Sequence, residues 1–413
     1  MYRRLTVIFL LLISVLICGG CNGAREPDDQ GYTVAIGVDK SAKKGMIDVT
    51  YVGAIPVTVG GEGGGGDKSK ISTEVTFTVP SLAEARNLLN SLTFFIPTLT
   101  HVKVLVIGEE LARQGIGDVI GPLTRFREFR GSNYIVVAKG QARDFFKKNK
   151  PGIPGTASRY YESMMESSSE TSYFLNTTLH EFYQRLKEPE GAGYTTMVAV
   201  NPQTMENLVA RSKTPGEKTE EYYAGDLPRA GSNPVEFLGA AMFRGDKMVG
   251  MLTTGETRLL AMLTGKYNRS YVTVEDPLAP KHGININIRQ GEKPDYKTQI
   301  VDGRPVAQVT VHLEGEITSI PSGINYEKAE YKELLEEQIA QIIKQEMTDL
   351  VARTQEEGAD IVGFGYRFRN KFQTMPEWVA YAWTDKFPQA EITVEVECKL
   401  RRTGLMWRSV PKQ

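Results

Sequence analysis

The cysteine at position 21 is the residue whose surroundings point most directly to a chemical modification. Two glycines come just before Cys21, and an apolar stretch, Val7–Ile17, lies upstream, after the pair Arg3-Arg4. Basic residues, a short apolar run and small residues before a cleavage position are typical of a secretory signal. Because a cysteine follows directly, the sequence predicts a bacterial lipoprotein signal in residues 1–20, with a diacylglyceryl group on the thiol of Cys21.

One position departs from the usual lipoprotein pattern, and other interpretations stay open. Leucine is usual three residues before the lipidated cysteine, where this chain has Cys18. Cys18 is a poorer lipid site than Cys21, since Ile17 would then occupy the cleavage position, where a small residue is needed. An ordinary signal peptide cut elsewhere and an uncleaved anchor are the alternatives, although a membrane-spanning helix needs about 20 apolar residues. Lipid chains on Cys21 would hold the protein on a membrane, since each buried methylene contributes about 0.8 kcal/mol.

No other set of side chains has the spacing that catalysis or metal binding requires. None of the four histidines pairs with another at i+4 or lies in a His-Glu-x-x-His pattern, and no Gly-x-Ser-x-Gly elbow occurs. Structural or surface roles are therefore predicted for His101, His180, His282 and His312. The sequence predicts a protein without catalytic residues, metal or cofactor, which favours a binding or assembly role.

A glycine-rich segment invites comparison with a phosphate-binding loop. Such a loop needs Gly-Lys-Ser/Thr where a helix starts, so that main-chain amides and the lysine surround the phosphates. Here Asp67 separates Gly66 from Lys68, the segment lies between two predicted strands, and no apolar helix follows. We therefore predict a flexible hairpin loop.

The charge of the chain limits its partners. The 413 residues carry 49 lysines and arginines against 50 aspartates and glutamates, a net charge of −1 at pH 7. Without a basic excess to neutralise phosphates, the composition argues against nucleic acid as a partner. The same balance favours a lipid, rather than a polybasic region, as the source of membrane attachment.

The third cysteine is predicted to be buried in a strand. Cleavage removes Cys18 and lipidation modifies Cys21, so Cys398 has no disulfide partner. In Glu391–Leu400, apolar and polar residues alternate, a period of two that is typical of a strand with one buried face. Cys398 falls on the apolar side, where a free thiol behaves as a small hydrophobic residue.

Patterns along the rest of the chain predict an α+β protein of two to three mixed α/β domains, with largely antiparallel sheets and one long C-terminal helix. Tyr32–Lys40, Ile47–Thr58 and the run ISTEVTFTVP predict an antiparallel meander. Arg211–Pro234 is polar and rich in proline and glycine, so it predicts a boundary or a surface loop. The predicted divisions are a signal peptide 1–20, an N-terminal α/β region 21–205, a linker or surface loop 206–234 and a C-terminal α+β domain 235–413.

The long amphipathic helix is predicted from about Tyr326 to Glu357, roughly 45 Å at 1.5 Å per residue. Eight apolar residues recur at helical spacing and predict one stripe that faces the core, with a groove for a partner helix as the alternative. The stripe consists of Leu334, Leu335, Ile339, Ile342, Ile343, Met347, Leu350 and Val351.

Four stretches of the chain resemble the Ger(x)C family, the C-subunit lipoproteins of spore germinant receptors. The first is REPDDQGYTVAIGVDK, and the second runs from THVKVLVIGEELARQGI through RFREFRGSNYIVVAKGQARDFF. GETRLLAMLTGK resembles the start of the family's C-terminal half, and the stretch that begins ADIVGFGYRFRNKF resembles its end. The residues that carry the resemblance include Ala35, Gly37, Asp39, Asp360, Gly363-Phe364-Gly365, Trp383 and Gly404.

The resemblance extends from Cys21 to about Gly404, with one departure. The family often has an aromatic-Asp pair after the cysteine, where this chain has Asn22-Gly23. The resemblance implies three α/β domains and a non-enzymatic, lipid-anchored subunit of a nutrient germinant receptor, on the outer face of the spore inner membrane. Its partners would be A-type and B-type membrane subunits that bind the nutrient and gate ion release.

We hypothesise that either the long helix or the loop Arg211–Pro234 is the surface that docks on those membrane subunits. A solute-binding lipoprotein of an uptake system is the alternative function. Such proteins normally have two doubly wound lobes around a ligand cleft. The meander and the single very long helix do not favour that arrangement.

Overall fold

The computed structural model of the chain describes residues 2–4, 6, 30–54, 72–92, 96–150, 157–202 and 221–402. Cys21, most of the predicted signal peptide, the glycine-rich segment and part of the predicted loop 206–234 lie outside the described residues. Within those ranges, no helix combines the length and the hydropathy that crossing a membrane requires.

The first half of the chain forms a nine-stranded mixed sheet. Its order is β3-β2-β1-β5-β6-β7-β8-β9, and the short β4 pairs with the start of β1. Neighbours are parallel from β1 through β5 and β6 to β7, and β4 is parallel to β1; the remaining pairs are antiparallel. The strands are β1 Gln30–Lys40, β2 Ile47–Ala54, β3 Ser72–Val79, β4 Ile96–Thr98, β5 Val104–Gly108, β6 Tyr134–Ala138, β7 Ala192–Val200, β8 Val235–Arg244 and β9 Lys247–Leu252.

Helices cover both faces of this sheet, which explains why its central strands are apolar throughout. All five residues of β5 are buried. Helices α1, α2, α3 and α7 pack on one face, and α4 and α5 pack on the other. The helices are α1 Leu82–Leu92, α2 Glu109–Gln114, α3 Gly117–Arg125, α4 Ala142–Lys148, α5 Ala157–Glu166, α6 Ser168–Thr171 and α7 Leu179–Lys187.

The second half contains a four-stranded sheet of order β10-β11-β12-β13. β12 and β13 are parallel because helices connect them, and the other pairs are antiparallel. Asp302 and Gly303, both with positive φ, form the two-residue turn between the long strands β11 and β12, as right-handed strand twist favours. The strands are β10 Arg269–Glu275, β11 Gly283–Val301, β12 Arg304–Ser319 and β13 Glu391–Arg402.

The helices of this half pack on one face of the second sheet and against the first sheet. A single apolar core joins Tyr194 and Met242 of the first sheet, Leu260 of α8, and Val311 and Val394 of the second sheet. The two sheets therefore share one core. The helices are α8 Thr254–Thr264, α9 Ala329–Glu356, α10 Phe364–Phe368, α11 Met375–Tyr381 and α12 Trp383–Lys386, with 3-10 turns at Arg369–Lys371 and Phe387–Gln389.

The structure confirms the predicted α+β class, the N-terminal meander and the long helix. Cys398 is buried on the apolar side of β13, as predicted. The prediction for the helix stripe was partly wrong, because Leu334 and Ile342 are 40% and 37% exposed while the other six residues are buried or nearly so. The domain limits stay a prediction, although β8, which follows the predicted linker, pairs with β7, which precedes it, and β9 pairs with β8 in the same sheet.

Candidate functional site

Asp39, in the first stretch that resembles the family, holds the start of a helix. Its buried carboxylate accepts hydrogen bonds from the main-chain N–H groups of Ala142 (2.7 Å) and Arg143 (3.1 Å), the first residues of α4. These N–H groups have no acceptor within the helix, so the carboxylate satisfies them. Burial raises the pKa of Asp39, and the two hydrogen bonds oppose that rise. Glycine is required at position 108 of the adjacent strand, where a Cβ would lie 2.1 Å from Oδ1 of Asp39.

Asp360 organises the turn between α9 and α10. One carboxylate oxygen accepts the N–H groups of Gly363 and Phe364, both at 2.9 Å. The other accepts the N–H of Gly365 at 2.6 Å and the indole N–H of Trp383 at 3.0 Å. Burial raises the pKa of Asp360, and the four donors act against that rise because they favour the ionised form. Five of the residues that carried the resemblance, Asp360, Gly363, Phe364, Gly365 and Trp383, therefore meet around one buried carboxylate.

Glu190 connects this turn to the first half of the chain. It lies just before β7, and its Oε1 accepts the indole N–H of Trp378 at 3.1 Å. Its Oε2 is buried and has no hydrogen-bond partner among the described residues. Burial raises the pKa of Glu190. The neighbouring ion pair Arg369–Glu188, at 2.9 Å, adds a second connection between the halves.

The two surfaces predicted to dock on partners differ in the structure. On α9, Leu334 and Ile342 are 40% and 37% exposed and leave apolar surface uncovered. Residues 221–234, the described part of the predicted loop, are held against the body instead. There the buried carboxylate of Glu236 accepts hydrogen bonds from Gly225 (2.7 Å) and Arg229 (2.8 Å). Among the described residues of these two surfaces, the exposed large apolar side chains therefore lie on α9.

A cleft of about 470 Å³ opens beside the first sheet, between α1, α3 and the turn that joins β1 to β2. Apolar side chains such as Tyr51, Leu99 and Leu123 line it. The guanidinium of Arg86 enters the cleft, donates to the carbonyl of Pro97, and lies 3.6 Å from the carboxylate of Glu128. The guanidinium of Arg86 in the cleft is thus paired within the protein.

The predicted site residues are not brought together into a reaction centre. No group of three or more histidine, cysteine, aspartate or glutamate side chains in the described ranges could hold a metal ion. His101 packs edge-to-face with Tyr32, with 4.7 Å between ring centroids, and His312 lies 3.1 Å from a carboxylate oxygen of Glu397. The predicted lipid site Cys21 lies outside the described residues.

Sequence reasoning missed two glutamates that hold the fold together, the buried Glu236 and the half-buried Glu190. Glu236 is a charged residue within the apolar run of β8, and this break in the pattern could have indicated its role. Glu190 lies in the polar turn EPEG, which gives no such signal, because its partner Trp378 is 188 residues away in the sequence.

Two family models match the chain on either side of residues 201–237. The model described as the spore germination protein N-terminal domain matches residues 23–200, and the one described as spore germination B3/GerAC like, C-terminal, matches residues 238–404.

Curated relatives match the chain along almost its whole length. Spore germination protein KC of Bacillus subtilis (strain 168) is 23% identical, with 98% of this chain and 97% of that protein covered. Spore germination protein B3 of the same organism is 22% identical, with 97% and 98% covered. The crystal structure of the GerBC protein aligns with 89% of this chain and 98% of that one, at 18% identity and a TM-score of 0.48. With both family models in chain order, the chain belongs to the Ger(x)C family of spore germination proteins.

Proposed function

We propose that the chain is the lipid-anchored, non-enzymatic C-type subunit of a nutrient germinant receptor. The observation that carries this proposal is the end-to-end match to spore germination proteins, with 97–98% of each of two relatives covered. In the receptor the chain would act with an A-type and a B-type membrane subunit. Lipid on Cys21 would hold it on the outer face of the spore inner membrane.

The architecture supports an assembly role. Asp39 and Asp360, which carried the resemblance, accept hydrogen bonds from N–H groups of the described residues of the chain. They fix the main chain at two turns, and the surface is thereby held in a defined shape on which other subunits can dock. The outer side of α9, with Leu334 and Ile342, is the docking surface that we propose.

Capture of the tagged protein tests the proposed complex. A C-terminal tag on the full chain, mild solubilisation of spore membranes and mass spectrometry should recover multi-span A-type and B-type subunits. Recovery of a permease and its ATPase instead would favour the solute-binding alternative. That alternative also requires two doubly wound lobes, whereas the second sheet here has helices on one face only among the described residues.

A matched pair of double variants tests the α9 surface. Leu334→Glu with Ile342→Glu adds two charges to the proposed interface and should abolish co-purification of the membrane subunits. Leu278→Glu with Ile300→Glu makes the same change at two similarly exposed residues elsewhere and should leave it intact. Equal recovery with both variants would refute docking through α9.

A second pair tests the lipid site. Cys21→Ala should release the protein from membranes, because the acyl chains that hold it are lost. Cys18→Ala removes the neighbouring cysteine and should leave the protein in the membrane fraction. Membrane retention of the Cys21→Ala protein would exclude lipidation at Cys21 as the anchor.

A further inference from the structure

The proposed anchor leaves little chain between the lipid and the folded body. Eight residues separate Cys21 from Gln30, the first residue of β1, and the nine steps between their Cα atoms extend to at most about 30 Å. β1 itself has 11 residues and runs a further distance of about 35 Å towards Lys40. The end of the first sheet at which β1 begins is therefore the part of the body that the anchor keeps nearest to the bilayer.

Three segments meet at this end of the sheet. The start of β1 pairs in parallel with β4, so that Gln30 lies beside Ile96. The turn after β4 is connected to the segment after α3, because the N–H of Leu99 donates to the carboxylate of Glu128 at 3.1 Å. Residues 124–130 therefore lie close to the point at which the chain enters the body.

This end carries a cluster of positive charge that the balanced composition hides. Arg125, Arg127 and Arg130 are exposed, and none of them forms an ion pair with a residue in the described ranges. The acidic residue between them, Glu128, is directed inward to Arg86. Burial and then the positive charges of Arg130 and Lys103 lower the pKa of His101, as expected beside basic groups.

Apolar side chains are exposed at the same end. Leu92 ends α1 and is 64% exposed, Ile96 of β4 is 40% exposed, and Phe126, between two of the arginines, is 38% exposed. Arginines interleaved with an aromatic and aliphatic side chains are the composition that binds at the interface of an anionic bilayer. A surface that docks on another protein subunit would need no such excess of unpaired positive charge.

We infer that this end of the first sheet rests on the bilayer, with Arg125, Arg127 and Arg130 bound to anionic phospholipid headgroups. Phe126, Leu92 and Ile96 lie in the interfacial region beside them. The inference rests on the proposed lipid anchor at Cys21, and it adds a second membrane contact that fixes the orientation of the body. Each arginine near an anionic surface contributes about fivefold to binding.

Amide hydrogen exchange on the full lipidated chain tests this contact. The protein is reconstituted in vesicles of phosphatidylcholine alone or of phosphatidylcholine with phosphatidylglycerol, and the vesicles are floated before exchange. We expect the protein to float with both kinds of vesicle, and peptides covering residues 124–132 to exchange more slowly only with phosphatidylglycerol. Added salt should abolish the difference, since screening weakens attraction between the arginines and the headgroups.

Charge reversals at the two ends of the sheet provide the matched comparison. Arg127→Glu with Arg130→Glu should weaken binding by more than about 25-fold, because the loss of each arginine costs about fivefold and each new glutamate repels the headgroups. The exchange rate should then match the rate seen with phosphatidylcholine. Lys43→Glu with Lys44→Glu makes the same charge change at exposed residues of the β1–β2 turn, at the far end, and should retain the protection. Equal melting temperatures confirm that both variants fold.

Three results would overturn the inference. Identical exchange in both kinds of vesicle would exclude anionic lipid as the ligand. Loss of protection in both double variants would mean that net charge, and not this surface, drives the contact. Protection that requires co-reconstituted membrane subunits would assign the arginines to a protein interface. Failure to float with phosphatidylcholine vesicles would instead refute the lipid anchor, and with it the tether on which the geometry depends.

Discussion

Replacement of Asp360 by asparagine is expected to destabilise the protein strongly. The carboxylate accepts four N–H groups, two on each oxygen, at 2.6 to 3.0 Å. Asparagine keeps one oxygen and presents an NH₂ group to the other two donors, which then lose their acceptor. A hydrogen bond to a charged group contributes about 1.5–3 kcal/mol, so the free energy of unfolding should fall by about 3–6 kcal/mol. That is a large share of the about 5–15 kcal/mol typical of a folded protein.

Urea unfolding followed by tryptophan fluorescence measures this loss. The chain has three tryptophans, and two of them, Trp378 and Trp383, are buried beside Asp360, so the emission reports on this region. The control is Asp295→Asn, which makes the same chemical change at an exposed position of β11. We expect that control to stay within about 0.5 kcal/mol of wild type. A difference below about 1 kcal/mol between the two variants would refute the assigned role of the carboxylate.

Three further predictions concern Glu190, Gly365 and Cys398. Burial raises the pKa of Glu190 above its ordinary 4.5, so its contribution to stability is present below pH 4.5 and is lost as the pH rises through the folded-state pKa. Glu190→Gln should therefore be more stable than wild type at pH 7, and a thermal-melting advantage that grew towards acid pH would contradict this sign. Gly365→Ala places a Cβ 2.5 Å from Nε1 of Trp383 and should cost about 1–3 kcal/mol in urea unfolding; an unchanged midpoint would show that the turn relaxes freely. Burial raises the pKa of the Cys398 thiol to about 12, so mass spectrometry should detect its alkylation only after denaturation, and rapid labelling of the native protein would disprove its burial.

Local sequence patterns predicted the structure correctly where it depends on a single helix or strand. The alternation in Glu391–Leu400 correctly predicted a strand with Cys398 inside, because the period of two depends only on neighbouring residues. The sequence predicted too wide an apolar stripe on α9, and the reason is physical. One sheet covers only part of the helix surface, and helical spacing does not reveal that Leu334 and Ile342 fall beyond its edge.

Features that depend on contacts between distant parts of the chain could not be predicted from the sequence. The parallel pairing in the centre of the first sheet depends on which distant strands meet, although the uninterrupted apolar runs of β5 and β6 are typical of strands covered on both faces. The carboxylate of Asp360 was singled out only by resemblance. Its partner Trp383 lies 23 residues away, and no periodic pattern links an aspartate to main-chain N–H groups in a turn.

The shared sheet also has a consequence for the order in which the protein can fold during synthesis. β7 ends at Val200, yet its neighbour β8, and β9 which pairs with β8, are completed only when Leu252 has been made. Until then β7, whose first eight residues are buried in the finished protein, presents an open edge to which other chains can pair. The N-terminal half therefore remains an unfinished and aggregation-prone intermediate while the ribosome adds about 50 more residues. Fragments cut between the two matched regions should inherit the same defect.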